Sequence, residues 1–239
     1  VYKRQHNGRL MLLLMLLSGC AADPGETCAG FQSPVAVGTV EESALDEASG
    51  LVTSGIHPGV LWTHNDSGDT ARLYAIDATG SSVGDLTLVG AIPEDWEDIA
   101  RSDVALFVGD IGDNDQDRDE VAIWRVEEPD TLGPDGSAGS SRLLLSYPSG
   151  PQDAEALVHH DGSLWILTKD AEGAGVYEVD PTLEEQQAQL VDILTVPAEL
   201  PAGDAVTAAD TDGVHLFVRT ESSVLVYTIQ DDIPGTLSG

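Results

Sequence analysis

The stretch SLWILTKDAEGAGVYEVDP, residues 163–181, reads as two short strands around a polar loop. Leu164–Leu167 is an unbroken apolar run bounded by polar residues, and Val176, Tyr177 and Val179 open a second. The same layout recurs in GVLWTHNDSGDTARLYAID (59–77), VALFVGDIGDNDQDRDEVAIWRVEEP (104–129) and HLFVRTESSVLVYTIQ (215–230). The first strands carry Trp62, Phe107, Trp165 and Phe217. The second carry Tyr74, Trp124, Tyr177 and Tyr227, at intervals of 50, 53 and 50 residues.

Working outward, a further short strand precedes each pair: SGLVTS from Ser49, WEDIAR from Trp96, AEALVHH from Ala154 and AVTAAD from Ala205. Pro58-Gly59, Asp161-Gly162 and Asp212-Gly213 supply hairpin turns. A fourth, edge-like strand follows in three of the repeats: DLTLVGA (85–91), RLLLSYP (142–148) and AQLVDILTV (188–196). Four antiparallel strands per unit, repeated every 40–55 residues or so, are the mark of propeller blades. The expected fold is therefore all-β, a β-propeller of four-stranded antiparallel blades with four repeats visible over 34–239. An all-β sandwich with similar hairpins is the alternative. The strand Val35–Val40 is expected to complete the ring on a terminal blade. Because the chain stops just after a third strand, an incomplete six-bladed ring is expected. Helical periodicity is confined to Thr182–Leu190.

Charge narrows the function. The chain has 42 acids against 10 bases, a net charge of −32. Three of the bases, Lys3, Arg4 and Arg9, precede the apolar block Leu10–Leu17, leaving seven against 42, or −35, from Cys20 onward. A surface this acidic repels phosphate backbones and excludes nucleic-acid binding. No apolar run reaches the roughly 18–20 residues of a membrane span. Basic residues, then an apolar block, then Leu17-Ser18-Gly19-Cys20 read as a signal peptide over 1–20. Its last four residues resemble the bacterial lipobox, which implies lipidation at Cys20 and an exported lipoprotein on the periplasmic or cell-surface side of a membrane. The membrane would then be touched only through that anchor, since two acyl chains hold where one does not. Small residues with Pro24, Gly25 and Gly30 make 21–33 a flexible tether, with Cys28 a spare thiol in it.

In an up-and-down blade the loop leading into the first strand and the loop joining the second to the third share one face. Here that face collects Asp95-Trp96-Glu97-Asp98 and Asp153-Ala154-Glu155 from the first kind of loop. The second kind contributes His64–Asp69, Gly109–Asp115, Thr168–Asp170 and Arg219–Glu221. Carboxylates held together cannot all stay ionised uncompensated, and Ca2+ takes six to eight oxygens of this kind. Asp66, Asp69, Glu97, Asp110, Asp113, Asn114 and Glu155 are the candidate Ca2+ ligands. A solvated acidic surface is the alternative. An EF-hand over Asp113–Trp124 fails, with Arg118 where Gly is required and Trp124 where Glu is required. Three rare bases, Arg118, Lys169 and Arg219, fall on the same face, where they either pair locally or hold an anionic ligand. His64 is the one histidine expected there. Nucleotide-loop, serine-hydrolase and zinc-protease motifs are absent.

The run Asp153-Ala154-Glu155-Ala156-Leu157, with Leu164–Lys169 and Gly175-Val176-Tyr177, is similar to a blade of exported six-bladed propellers of the phytase-like and TolB-like type. Trp96-Glu97-Asp98-Ile99 repeats its acidic approach. The resemblance implies bound Ca2+ and phosphoester hydrolysis by metal-activated water, with Glu97, Asp98, Glu155 and Lys169 as site candidates. Two functions are thus expected. One is a lipid-anchored binding or scaffold module that takes a protein or small-molecule ligand at the acidic mouth. The other is a calcium-dependent phosphoester hydrolase, with Glu97 and Glu155 as ligands or bases and Lys169 and Arg219 on the phosphate. A purely structural surface protein, acidic for solubility, is a third.

Overall fold

The computed structural model describes residues 35–171, 173–195, 200–230 and 232–237, together with the backbone of Tyr2–His6 and Arg9–Leu14. The lipobox, Cys20, Cys28 and the tether lie outside the described residues. Strands β1 (Tyr2–His6), β2 (Arg9–Leu14) and β3 (Val35–Thr39) form a small sheet of their own. The expected pairing of β3 with a terminal blade is thereby corrected: its ladder partner is β2.

Blade one is β4 (Ala48–Thr53), β5 (Val60–Asn65), β6 (Arg72–Asp77) and β7 (Ser82–Val89). Blade two is β8 (Trp96–Arg101), β9 (Ala105–Asp110), β10 (Val121–Glu127) and β11 (Gly136–Ser146). Blade three is β12 (Ala154–His160), β13 (Ser163–Thr168), β14 (Ala174–Val179) and β16 (Gln189–Leu194), with the short β15 (Glu185–Gln187) ahead of β16. Blade four contributes β17 (Val206–Thr211), β18 (His215–Thr220) and β19 (Val224–Thr228), followed by the helical turn α1 (Ile233–Leu237). Consecutive strands within each blade pair antiparallel, and the innermost strands pack in chain order, β4 on β8, β8 on β12 and β12 on β17. The chain is an all-β propeller.

Exposure explains the strand patterns. Inner strands are sandwiched between neighbouring blades, so β9 is buried at all six positions and opens on the apolar run Ala105–Val108. Outer β7 has one wet face and alternates. Trp62, Leu73, Trp96 and Leu106 fill the seam between blades one and two. Fully burying side chains of this size contributes on the order of 2–3 kcal/mol each. The Asp161-Gly162 turn takes positive φ at both residues, 47° and 86°, as a type I′ hairpin requires.

Two features depart from expectation. Thr182–Leu190 is not helical: β15 and the start of β16 are extended, because the segment is recruited to sheet edges on both sides. Outer strands also join blades. The first half of β11 runs parallel on β7, and β15 runs parallel on β11, so each of these blades begins its outer strand on its predecessor.

Candidate functional site at the acidic mouth

Every innermost strand carries a β-bulge at its leading end. The register slips between Ala48 and Leu51, Trp96 and Asp98, Ala154 and Ala156, and Val206 and Ala208. A bulge leaves one residue out of the ladder and re-aims its side chain. In blades two, three and four that residue is Glu97, Glu155 or Thr207; its counterpart in blade one is Ser49. The bulges therefore set four equivalent side chains at one end of the inner strands, two of them carboxylates.

Glu97 is the centre of the site. One carboxylate oxygen each from Asp66, Asp95 and Glu97 lies within 4.8 Å of the other two. Asp66 comes from the β5–β6 loop of blade one, Asp95 and Glu97 from the start of blade two. Residues i and i+2 of an extended segment share a face, which puts Asp95 beside Glu97 while Trp96 between them is buried. Gly112 leaves the space: a Cβ there would stand 2.4 Å from both Asp95 Oδ2 and Glu97 Oε1. The Glu97 side chain is 6% exposed, and among the described residues its carboxylate accepts no hydrogen bond. Burial, and then the charges of Glu155, Asp66, Asp95 and Asp153, push its pKa up to about 9. Burial and the neighbouring Asp66 also raise Asp95. Three carboxylates converging on one point, one of them buried and unpaired, form a donor set that suits a hard divalent cation.

Glu155 stands beside this cluster with a partner of its own. Its Oε1 accepts a hydrogen bond from Lys169 Nζ, and the two form an ion pair. Burial raises Glu155, with Lys169 opposing it. Burial works against the Lys169 ammonium, but the bond and charge of Glu155 outweigh it and hold that pKa above the ordinary lysine value.

The other expected ligands do not join the cluster. Asp110 Oδ1 accepts the Asp95 N–H at 2.9 Å and Arg118 Nη2 at 3.0 Å, while Oδ2 takes Glu94 N–H and Trp124 Nε1 at 3.2 Å. It is buried and holds the approach to β8. Asp113 closes its own loop by accepting the N–H groups of Asp117 (3.0 Å) and Arg118 (3.1 Å), and its N–H donates to Asp153 Oδ1 at 2.9 Å. Asn114 is exposed on that loop. Asp69 accepts Asn65 Nδ2 at 2.7 Å and the Tyr74 hydroxyl at 3.1 Å. Asp98 lies deeper, where its carboxylate accepts backbone N–H groups from Ile99, Leu157 and Ala209 at 2.9, 3.0 and 3.3 Å. It thereby ties the inner strands of blades two, three and four together. Burial lifts Asp98 to about 7 against the pull of those three donors. Arg219 Nη1 donates to Thr207 Oγ1 at 2.5 Å. His64 is fully buried, edge-on to Trp96 at 5.6 Å, with Nδ1 2.7 Å from the Asn65 carbonyl oxygen. Asp95 is the member of the cluster that the sequence-based ligand set left out, although its i, i+2 spacing to Glu97 was there to be read.

No family model and no curated protein matches the chain. Solved structures are similar to it only at low superposition. The β-propeller domain of Myceliophteria thermophila Cps50 (Swd1) is 10% identical with a TM-score of 0.44, over 94% of this chain and 68% of that one. The computationally designed protein Ika4 is 15% identical with a TM-score of 0.37, over 81% of this chain and 98% of that one. A chain of the Chaetomium thermophilum Polycomb Repressive Complex 2 is 12% identical with a TM-score of 0.39, over 99% of this chain and 56% of that one. The propeller assignment rests on the chain's own strand order and registers.

Proposed function

We propose that this propeller is a binding module whose acidic mouth holds Ca2+ through Asp66, Asp95 and Glu97 and presents that ion to a protein or small-molecule ligand. The observation that supports it most is Glu97, a buried carboxylate set by a β-bulge against two others with no donor of its own. Such a group either keeps a proton or takes a cation. Three protein oxygens leave an ion that favours six to eight ligands with positions for water or a partner's oxygens. The order Leu17-Ser18-Gly19-Cys20 supports an exported protein anchored by lipid at Cys20.

Phosphoester hydrolysis draws less support, because the bases that would hold a phosphate are engaged. Lys169 is paired with Glu155, Arg118 with Asp110, and Arg219 donates to Thr207. The test is calorimetric titration of the chelator-treated protein with Ca2+, alongside the E97Q variant. One saturable site that E97Q removes is the expected result. A folded wild type that takes up no Ca2+ at roughly millimolar concentration, the weak end of natural sites, would refute the proposal.

A further inference from the structure

We propose that Lys169 is an internal latch on the cation site: by holding Glu155, it keeps a fourth carboxylate out of the ligand set and so sets the site's affinity. This rests on the cation-binding reading above. Glu97 and Glu155 occupy the same bulge position in adjacent blades. The two therefore leave neighbouring inner strands with the same aim, and β8 packs on β12. Of all the surrounding charges, Glu155 acts most strongly on Glu97. Asp66 and Asp153 act on Glu155 in turn. One pocket of negative charge thus spans three blades; Lys169 pairs with the carboxylate at its blade-three end, while Arg118, which acts on Asp95, is spent on Asp110, Glu94 and the Gly112 carbonyl oxygen. That lysine is tethered by the chain: the Lys169 N–H donates to the Asp153 carbonyl oxygen at 2.9 Å, fixing the residue at the end of β13. The Lys169 side chain is 29% exposed and that of Glu155 13%, so the pair lies at the rim, where a lysine stem can swing away.

Among the described residues, none of Asp66, Asp95 and Glu97 forms an ion pair of its own. Blade one has Ser49 at the bulge position, and its hydroxyl donates to the Glu97 carbonyl oxygen at 2.6 Å, leaving the carboxylate alone. The mouth is therefore divided into an open half on blades one and two and a self-neutralised half on blade three. When Lys169 lets go, Glu155 is the carboxylate placed to complete the open half.

The experiment is Ca2+ calorimetry on the chelated full chain, comparing wild type, K169M, K169R, E155Q and E155Q/K169M, with each variant's melting temperature confirming its fold. K169M keeps the apolar stem and removes the charge; K169Q serves if K169M does not fold. The latch predicts that K169M binds Ca2+ at least about tenfold more tightly than wild type, an effect of the size expected from one neighbouring charge. K169R, which keeps the charge, should stay near wild type. The gain must vanish in the E155Q background, so E155Q/K169M should bind no more tightly than E155Q. An equal gain in both backgrounds would mean simple charge repulsion by Lys169 and overturn the latch, as would a K169M affinity at or below wild type. If wild type takes up no Ca2+ but K169M does, the latch stands and the wild-type site reading falls. If neither binds, both fall.

Discussion

Replacing Glu97 by glutamine separates the cost of the site from its use. In the cation-free protein the Glu97 pKa is about 9, against 4.5 for an ordinary glutamate, and burial is the main cause. The sign follows from proton counting. Between those two values the folded state holds a proton that the unfolded chain has released, so stability present below pH 4.5 is lost as pH rises towards 9. At pH 7 the loss spans about 2.5 pH units, or about 3 kcal/mol at 1.36 kcal/mol per unit. Glutamine has nearly the same shape and no proton to gain or lose.

E97Q in chelator should therefore be more stable than wild type at pH 7 by up to about 3 kcal/mol, roughly 6–12 °C in melting temperature for a domain of this size. At pH 4.5 the two should coincide. Saturating Ca2+ should invert the order, stabilising wild type and leaving E97Q where it was. Thermal melts across pH 4.5–8 with and without Ca2+ make the comparison. A chelated E97Q less stable than wild type at pH 7 would refute the reasoning, because it would mean that the carboxylate has a partner in the empty protein.

Other substitutions test the remaining assignments. G112A places a methyl where Asp95 and Glu97 converge and should weaken Ca2+ binding at least tenfold by calorimetry. Its fold should survive, since the backbone there needs no positive φ. D69N should leave Ca2+ affinity within about twofold, because Asp69 is spent on Asn65, Thr70 and Tyr74; a large loss would return it to the ligand set. D98N turns an amide donor towards at least one of three backbone donors and should cost about 3 kcal/mol or more in chemical denaturation. D110A should cost a similar amount by leaving Arg118 and the Trp124 indole unpaired, without the Ca2+ dependence that marks Glu97.

The blades were legible because a buried strand needs an apolar run and a hairpin needs its turn residues, both local properties. Trp62, Phe107, Trp165 and Phe217 mark the second strand of each blade as expected, and Asp161-Gly162 turns as its sequence requires. The fate of Thr182–Leu190 was not legible. Its strand form depends on edges supplied by β11 and β14, far away in sequence, and those override a weak local helical pattern. The acidic face was legible from alternation of strand direction, but the identity of its members was not. Asp110, Asp113 and Asp69 have the same side-chain chemistry as Asp66 and Asp95. What separates them is which donors and which other carboxylates lie within reach, and that is set by loop geometry. Clustered and loop-closing carboxylates look alike in one dimension.

The mouth also shows how a repeat can carry asymmetric chemistry. All four inner strands bulge at the same place, so the backbone offers four equivalent positions at the mouth. The residues there are Ser49, Glu97, Glu155 and Thr207, and their partners differ as much as they do. Ser49 and Thr207 bond to a carbonyl and a guanidinium, and Glu155 to an ammonium; the Glu97 carboxylate accepts no hydrogen bond from the described residues. Burying an unpaired carboxylate is unfavourable in any fold, and three carboxylates brought together make it more so. The surrounding structure bears that cost through ties that do not involve the site, with Asp98 joining three inner strands below it and Asp110 clamping the loop above. A propeller that needed acidity only for solubility would gain nothing from setting Glu97, 6% exposed, where among the described residues no donor reaches its carboxylate. Among the described residues, the one bulge carboxylate without a hydrogen bond sits at the seam of two blades because only there can a loop from one blade, bearing Asp66, meet the leading strand of the next.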